Sequence, residues 1–230
     1  MVWFRDGRKK DKHHMMTNWQ KSFDNVNSIK AATEALPEKV FKDLRKVCDK
    51  ARKKKLNVKK DLVGHINEEY DIKPIPKNFN DFILKRLLRH PVIAERNKKL
   101  AVVTHDRPFC IDKLWCNYQK KYEFNPPHDH AGIYSFVVFM QIPYDLHKEE
   151  TYFTKIFADN FKPMASKFAF QNVTPDGEIS TDALPVDKSF EGKIIVFPSK
   201  QVHTVFPFYT SNDYRITVSG NIKLAVPKEW

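Results

Sequence analysis

Glycine is scarce in this chain, with 6 among 230 residues, which excludes a collagen-like or glycine-rich low-complexity polymer. Cysteine is scarcer still. Cys48, Cys110 and Cys116 are odd in number and form no doublet of metal-ligand spacing, so they read as buried reduced thiols rather than a disulfide framework or a zinc site. No apolar run reaches the roughly 18 residues that a membrane-spanning helix needs. The opening stretch, MVWFRDGRKKDKHHMM, also lacks the apolar segment of a secretion signal. A soluble protein of the cytoplasm, the host's if the chain is viral, is the expectation.

What the chain has in quantity is aromatic residues, 13%, and positive charge, a net +12. Residues 1–60 hold 18 Lys or Arg against 7 Asp or Glu, so almost all the excess lies in the first quarter. Such a segment can steer phosphate backbones or acidic proteins toward the chain. The basic run Arg52-Lys53-Lys54-Lys55, however, has none of the interleaved aromatics of a nucleic-acid stacking platform. A solvated helical face is the simpler reading, and nucleic acid is not the favoured partner. His13-His14 sits among polar residues and reads as surface histidine, while Trp3, Phe4, Trp19 and Phe23 read as anchors onto the body.

Periodicity divides the rest. From Glu38 to Leu56 the residues Val40, Leu44, Val47, Cys48 and Ala51 recur at helical spacing just after Pro37. Leu62, Ile66 and Tyr70 suggest a second helical piece, and Asn78 can cap a third with Phe79, Phe82, Ile83 and Leu87 inside before Pro91 ends it. After residue 100 come short runs rich in Val, Ile, Phe, Tyr and Thr. They are Leu100–Thr104, Leu114–Tyr122, Tyr134–Ile142, Tyr152–Phe157, Lys167–Gln171, Lys193–Pro198, Thr204–Phe208 and Arg215–Leu224. The expected architecture is mainly β with N-terminal helices. Residues 1–95 form a basic helical region packing on the core, and residues 96–230 form a double-stranded β-helix of the jelly-roll and cupin type.

Within that β region, His128 and His130 stand two residues apart in NPPHDHAG and point the same way on an extended backbone. They can share one ion. His203 follows the strand-like GKIIVFPS, and Arg215 opens the last strand. Two close histidines, a distant third and an arginine on an apolar strand are the parts of a metal site beside an anion pocket.

The order HDH, then GKIIVFPSKQVHTVFPF, then DYRITVSGNI resembles the iron(II)/2-oxoglutarate-dependent oxygenases of the prolyl-hydroxylase-like superfamily. It looks most like the small members found in marine bacteria and cyanophages, and the resemblance covers roughly residues 100–224. It implies a distorted jelly roll, iron in the mouth of the barrel, and 2-oxoglutarate as cosubstrate. His128 takes the place of the family's proximal histidine and His203 of the distal one. Where most relatives carry Asp or Glu two residues after the first histidine, this chain carries His130. Three ligand sets are open: His130 replaces the carboxylate, Asp129 turns inward, or His128 and His203 act alone.

By the same resemblance Arg215 binds the distal carboxylate of 2-oxoglutarate, a role suited to a fixed, planar cation. Thr217 lies on the same face and adds a hydroxyl, Ser219 shares its parity, and Asn117 and Tyr118 are candidates for the pocket wall. The implied reaction consumes O2, releases succinate and CO2, and hydroxylates an unactivated C–H bond of a peptidyl residue or small molecule. Two other classes compete. One is a non-catalytic cupin-like module whose basic N-terminal region contacts nucleic acid or an acidic partner. The other is a three-histidine cupin enzyme without 2-oxoglutarate. Lys148-Glu149-Glu150 and the loop Asn172–Pro185 are candidate lids or ordinary surface.

Overall fold

The computed structural model describes residues 31–59, 62–100, 108–152 and 163–225. The larger sheet contains β1 (Ala32–Ala35), β2 (Glu69–Asp71), β3 (Phe109–Gln119), β5 (Tyr134–Gln141), β8 (Lys193–Pro198) and β10 (Arg215–Leu224). Its strand order is β1-β8-β5-β10-β3-β2. The smaller sheet contains β4 (Asn125–His128), β6 (Phe168–Val173), β7 (Ile179–Leu184) and β9 (His203–Val205), in the order β4-β9-β6-β7. Every pairing within both is antiparallel. Two facing antiparallel sheets with added helices make the double-stranded β-helix that the sequence predicts.

Both faces of the larger sheet are covered, and β5 records this directly. A strand wetted on one side alternates apolar and polar residues, whereas one buried on both sides reads as a continuous apolar run. In YSFVVFMQ, Phe136, Val138 and Met140 pack in a cluster with the helices, and Val137 and Phe139 pack in a second cluster with Phe168, Phe170 and Leu184 of the smaller sheet. The first cluster is closed by α1 (Glu38–Lys53), which buries Val40, Leu44, Cys48 and Ala51 as its spacing predicts. Lys50, Arg52 and Lys53 fall in its last turn, where positive charge complements the helix dipole. Arg52 is also committed to Glu68 at 2.7 Å and lies over the rings of Tyr118 and Tyr214, so its charge is partly spent within the fold.

Gly220 sits in the middle of β10, between Leu114 of β3 and Phe136 of β5. A Cβ there would lie 2.7 Å from the backbone oxygen of Lys113 and 2.8 Å from Phe136 Cε1. Backbone cannot yield as a side chain can. Gly220→Ala is therefore expected to cost about 1–3 kcal/mol through overpacking, measured as a lower midpoint of thermal unfolding.

Several sequence expectations change in three dimensions. Residues Leu62, Ile66 and Tyr70 form no helix: Glu69–Asp71 is an edge strand on β3. Only Tyr70 of the three falls in that strand, where pairing with β3 fixes it, while Leu62 and Ile66 lie in irregular chain and Ile66 is buried without any helix. The third helix begins one residue earlier than Asn78, as α2 (Lys77–Asp81), and runs on as a π turn (Phe82–Arg86) and a 3-10 turn (Leu87–Arg89). Pro91 does not close it but opens α3 (Pro91–Leu100), at the first position where a missing N–H costs nothing. Lys148, Glu149 and Glu150 lie in α4 (Leu146–Tyr152) rather than in a turn. The expected loop Asn172–Pro185 contains β7, paired along its length with β6. The strands expected at Leu100–Thr104 and Tyr152–Phe157 fall almost wholly outside the described residues. Leu100 and Tyr152 themselves end helices. The aromatic anchors and the His13-His14 pair lie outside the described residues as well. No described helix is long and apolar enough to cross a membrane.

Candidate active site

The concave face of the larger sheet carries one set of parity. Trp115, Asn117 and Gln119 of β3, Arg215, Thr217 and Ser219 of β10, and Glu69 of β2 all line a single cavity between the sheets. Its empty space is about 700 Å³, open mouth included. Tyr118, of opposite parity, points the other way and donates its hydroxyl to Asp49 on α1, so it is no part of the pocket wall.

Across the cavity the smaller sheet supplies the histidines. His128 ends β4, His203 opens β9, and the two are register partners. One ligand atom from each of His128, His130 and His203 can be drawn within 4.8 Å of the others. Neighbouring backbone orients two of the rings: His128 Nδ1 lies 2.7 Å from the Pro126 carbonyl and His203 Nδ1 lies 3.0 Å from the Gln201 carbonyl. With Nδ1–H donating there, each Nε2 lone pair is free toward the centre. Burial pushes the His128 imidazolium below its usual range. Burial, with His128 beside it, brings His130 to about 4 and His203 to about 3. At neutral pH all three are neutral, the form that binds metal. Asp129 projects the opposite way, is exposed, and pairs with Lys200 at 3.4 Å.

His130 is held by residues remote in sequence. Its backbone N–H donates to the Ser199 carbonyl at 2.8 Å, and the Ser199 N–H returns to the Ile133 carbonyl at 3.1 Å. Beneath, the buried Ser135 hydroxyl donates to Asn221 Oδ1 at 2.9 Å and lies 3.1 Å from the Ser199 hydroxyl. The turn is closed at Gly132, whose φ of +112° is left-handed and whose Cα faces the Ile222 carbonyl. Ser199 and, through Ser135, Asn221 thus secure the loop that carries the third imidazole.

Arg215 is 2% exposed. Its Nε donates to Gln119 Oε1 at 2.9 Å, Nη1 to the Tyr144 hydroxyl at 3.2 Å and the Ser166 carbonyl at 2.8 Å, and Nη2 to the Phe206 carbonyl at 2.7 Å. One of its five N–H groups is left. All four partners are neutral, and among the described residues no carboxylate lies within ion-pair distance of it. Asn117 donates its amide to the Thr217 hydroxyl at 3.0 Å and the Ser219 hydroxyl at 3.4 Å. The sequence reading missed Gln119 and Glu69. Gln119 shares the parity of Asn117, which was signal enough. Glu69 was masked by the mistaken helix.

Glu69 is 1% exposed, directly opposite Asn117. Burial, with Glu123 adding to it and Lys59 opposing, pushes its carboxyl up to about 7. The unfolded chain releases this proton near 4.5, so folding stability is unaffected below that pH and falls as pH rises through 7. Glu69→Gln is expected to raise stability at pH 8 by up to ~3 kcal/mol and to change nothing at pH 4. Thermal melts of both chains at the two pH values read this out.

Three neutral imidazoles close enough to share one ion, lining the same cavity as a buried arginine with no carboxylate partner among the described residues, are a donor set suited to a non-haem metal beside an anion. Residues 113–221 match the family described as "Putative 2OG-Fe(II) oxygenase". The match takes in the three histidines and Arg215 and spans just under half of the chain; over that segment the chain is similar to the 2OG-Fe(II) oxygenases, which are 2-oxoglutarate-dependent oxidoreductases. Among solved structures it is similar to a prolyl-4-hydroxylase of Pseudomonas putida, with 14% identity over 90% of this chain and 98% of that one and a TM-score of 0.53. A 2OG-Fe(II) oxygenase family oxidoreductase of Burkholderia pseudomallei shares 11% identity over 88% of each chain with a TM-score of 0.49. No curated protein matches the chain. The family's cofactors are Fe(II) and 2-oxoglutarate, and its reaction takes O2 and an oxidisable substrate. The donor set fits: neutral imidazole suits iron, and a buried cation without a carboxylate suits a dicarboxylate ligand.

Proposed function

We propose that the protein hydroxylates an unactivated C–H bond of a small molecule or peptidyl residue, with Fe(II) held by His128, His130 and His203. When bound, iron and 2-oxoglutarate supply an oxidant for that bond from O2, with succinate and CO2 as coproducts. The protein's own share is orientation and exclusion. Pro126 and Gln201 carbonyls keep two imidazoles in the tautomer that faces the metal. Phe168 and Phe197 pack against His203, at ring separations of 5.4 and 4.9 Å, and keep water from its inner side. Arg215 offers its remaining N–H and its uncompensated charge to the distal carboxylate, with Thr217 and Ser219 adding hydroxyls and Asn117 orienting both.

The observation that carries this reading is the buried Arg215 charge lining the same cavity as the histidine cluster. A three-histidine cupin enzyme working without an anionic cosubstrate offers no reason for an unpaired buried cation there. The test is anaerobic reconstitution with Fe(II) followed by 2-oxoglutarate. The expected result is a visible charge-transfer band from the chelate, and succinate after O2 is admitted. Iron bound without any band at saturating 2-oxoglutarate would sink the proposal.

A further inference from the structure

The cavity contains polar groups that neither iron nor 2-oxoglutarate accounts for. Glu69 Oε2, Asn117 Oδ1 and Asn125 Oδ1 are buried and accept no hydrogen bond among the described residues. All three residues line the cavity. A buried acceptor left unpaired costs about 1–3 kcal/mol, and folded proteins keep few of them. Three in one cavity share a common deficiency: among the described residues each lacks a partner.

Their placement is built, not incidental. Glu69 and Asn117 are directly opposed on adjacent strands, so their side chains are neighbours on one face. Asn117 has committed its amide nitrogen to Thr217 and Ser219, which leaves its oxygen as the free end. Glu69 and Asn125 converge on Gly64. A Cβ added there would strike Asn125 Oδ1 and sit 3.2 Å from Glu69 Oε1. Leu62, Val63 and Ile66 line the cavity around that glycine.

We propose that Glu69, Asn117 and Asn125 form the substrate-recognition subsite of this oxygenase, and that it takes a primary ammonium group borne on an apolar chain. The assignment rests on the oxygenase reading for the word substrate. An ammonium carries three donors and no acceptor, which suits a cavity wall of two amide oxygens and a carboxyl that ionises against a cation. A hydroxyl brings a single donor and leaves two acceptors unmet. A carboxylate brings none and meets the charge of Glu69. The apolar residues beside Gly64 accommodate the carbon chain. Burial that holds the Glu69 carboxyl near neutrality is reversed once a cation sits against it, so binding makes the ion pair it uses.

The experiment is thermal unfolding of the full chain titrated with n-butylammonium and n-hexylammonium, each against the matching neutral alcohol, with and without Fe(II) and 2-oxoglutarate. The ammonium ions are expected to raise the midpoint saturably and the alcohols not. Glu69→Gln should weaken the apparent affinity at least about tenfold. Gly64→Ala should do the same by filling the cradle while leaving every charge in place. Equal responses to ammonium and alcohol, equal responses of wild type and Glu69→Gln, or no stabilisation by any probe would each overturn the proposal. The charge-transfer band of the wild type is recorded in parallel. A band without an ammonium response removes the subsite and leaves the oxygenase reading standing. An ammonium response without a band does the reverse.

Discussion

A His203→Ala chain is expected to bind Fe(II) more than about 100-fold more weakly than the wild type and to form no succinate. Loss of an outer group that only orients a ligand already costs about 10–100-fold in metal affinity, and loss of the ligand itself costs more. His203 is 4% exposed and packed between Phe168 and Phe197, so no water-filled space stands ready to supply a substitute donor. Titration with Fe(II) under anaerobic conditions, followed by the chelate band, measures the effect. Binding within a few-fold of the wild type would remove His203 from the metal site. His130→Ala and His130→Asp divide the remaining question. If His130 is a ligand, alanine weakens iron binding while aspartate, a carboxylate of the kind most relatives carry here, retains it. If two histidines suffice, both variants bind as the wild type does.

The second large effect belongs to Arg215. Its guanidinium donates to two backbone carbonyls, Ser166 and Phe206, and to Gln119 and Tyr144, all inside the fold. Arg215→Met removes these donors at once and is expected to cost about 3–5 kcal/mol, since each buried acceptor left without a donor costs about 1–3 kcal/mol. In a domain of this size that corresponds to a fall of roughly 10 °C in the unfolding midpoint. Arg215→Lys separates the two roles. It keeps the charge, loses the planar fork, and can reach fewer of the four acceptors. Its affinity for 2-oxoglutarate is expected to drop about 30-fold or more, since truncating one side of a buried charge pair costs 2–5 kcal/mol. A folded Arg215→Lys chain with unchanged 2-oxoglutarate affinity would make Arg215 a structural residue alone.

Four hydrogen bonds to the protein also refine what the sequence suggested for Arg215. A free planar fork would grip a carboxylate through two N–H groups; here one is left. Such a constraint is invisible along the chain, because Gln119, Tyr144, Ser166 and Phe206 come from four separate segments. The same holds for His130, whose position depends on Ser199 and Ser135 and, through the latter, on Asn221.

From sequence alone came the strands with strong composition, β3, β5, β8 and β10, the amphipathic α1, the three histidines, and Arg215 and Thr217 on one parity. These features are local: period, branching at Cβ and nearby spacing are written in consecutive residues. Local signals failed where buried apolar residues sit in irregular chain, as at Ile66, and where a short strand exists only because a partner pairs with it, as for β1, β2, β4 and β7. Only the tertiary structure decided that Asp129 faces Lys200 and solvent, that Tyr118 belongs to the helical side, and that Glu69, Asn117 and Asn125 line one cavity with oxygens unpaired among the described residues. Which side chains share a cavity is fixed by pairing between strands far apart in the chain, and no window of consecutive residues contains that register.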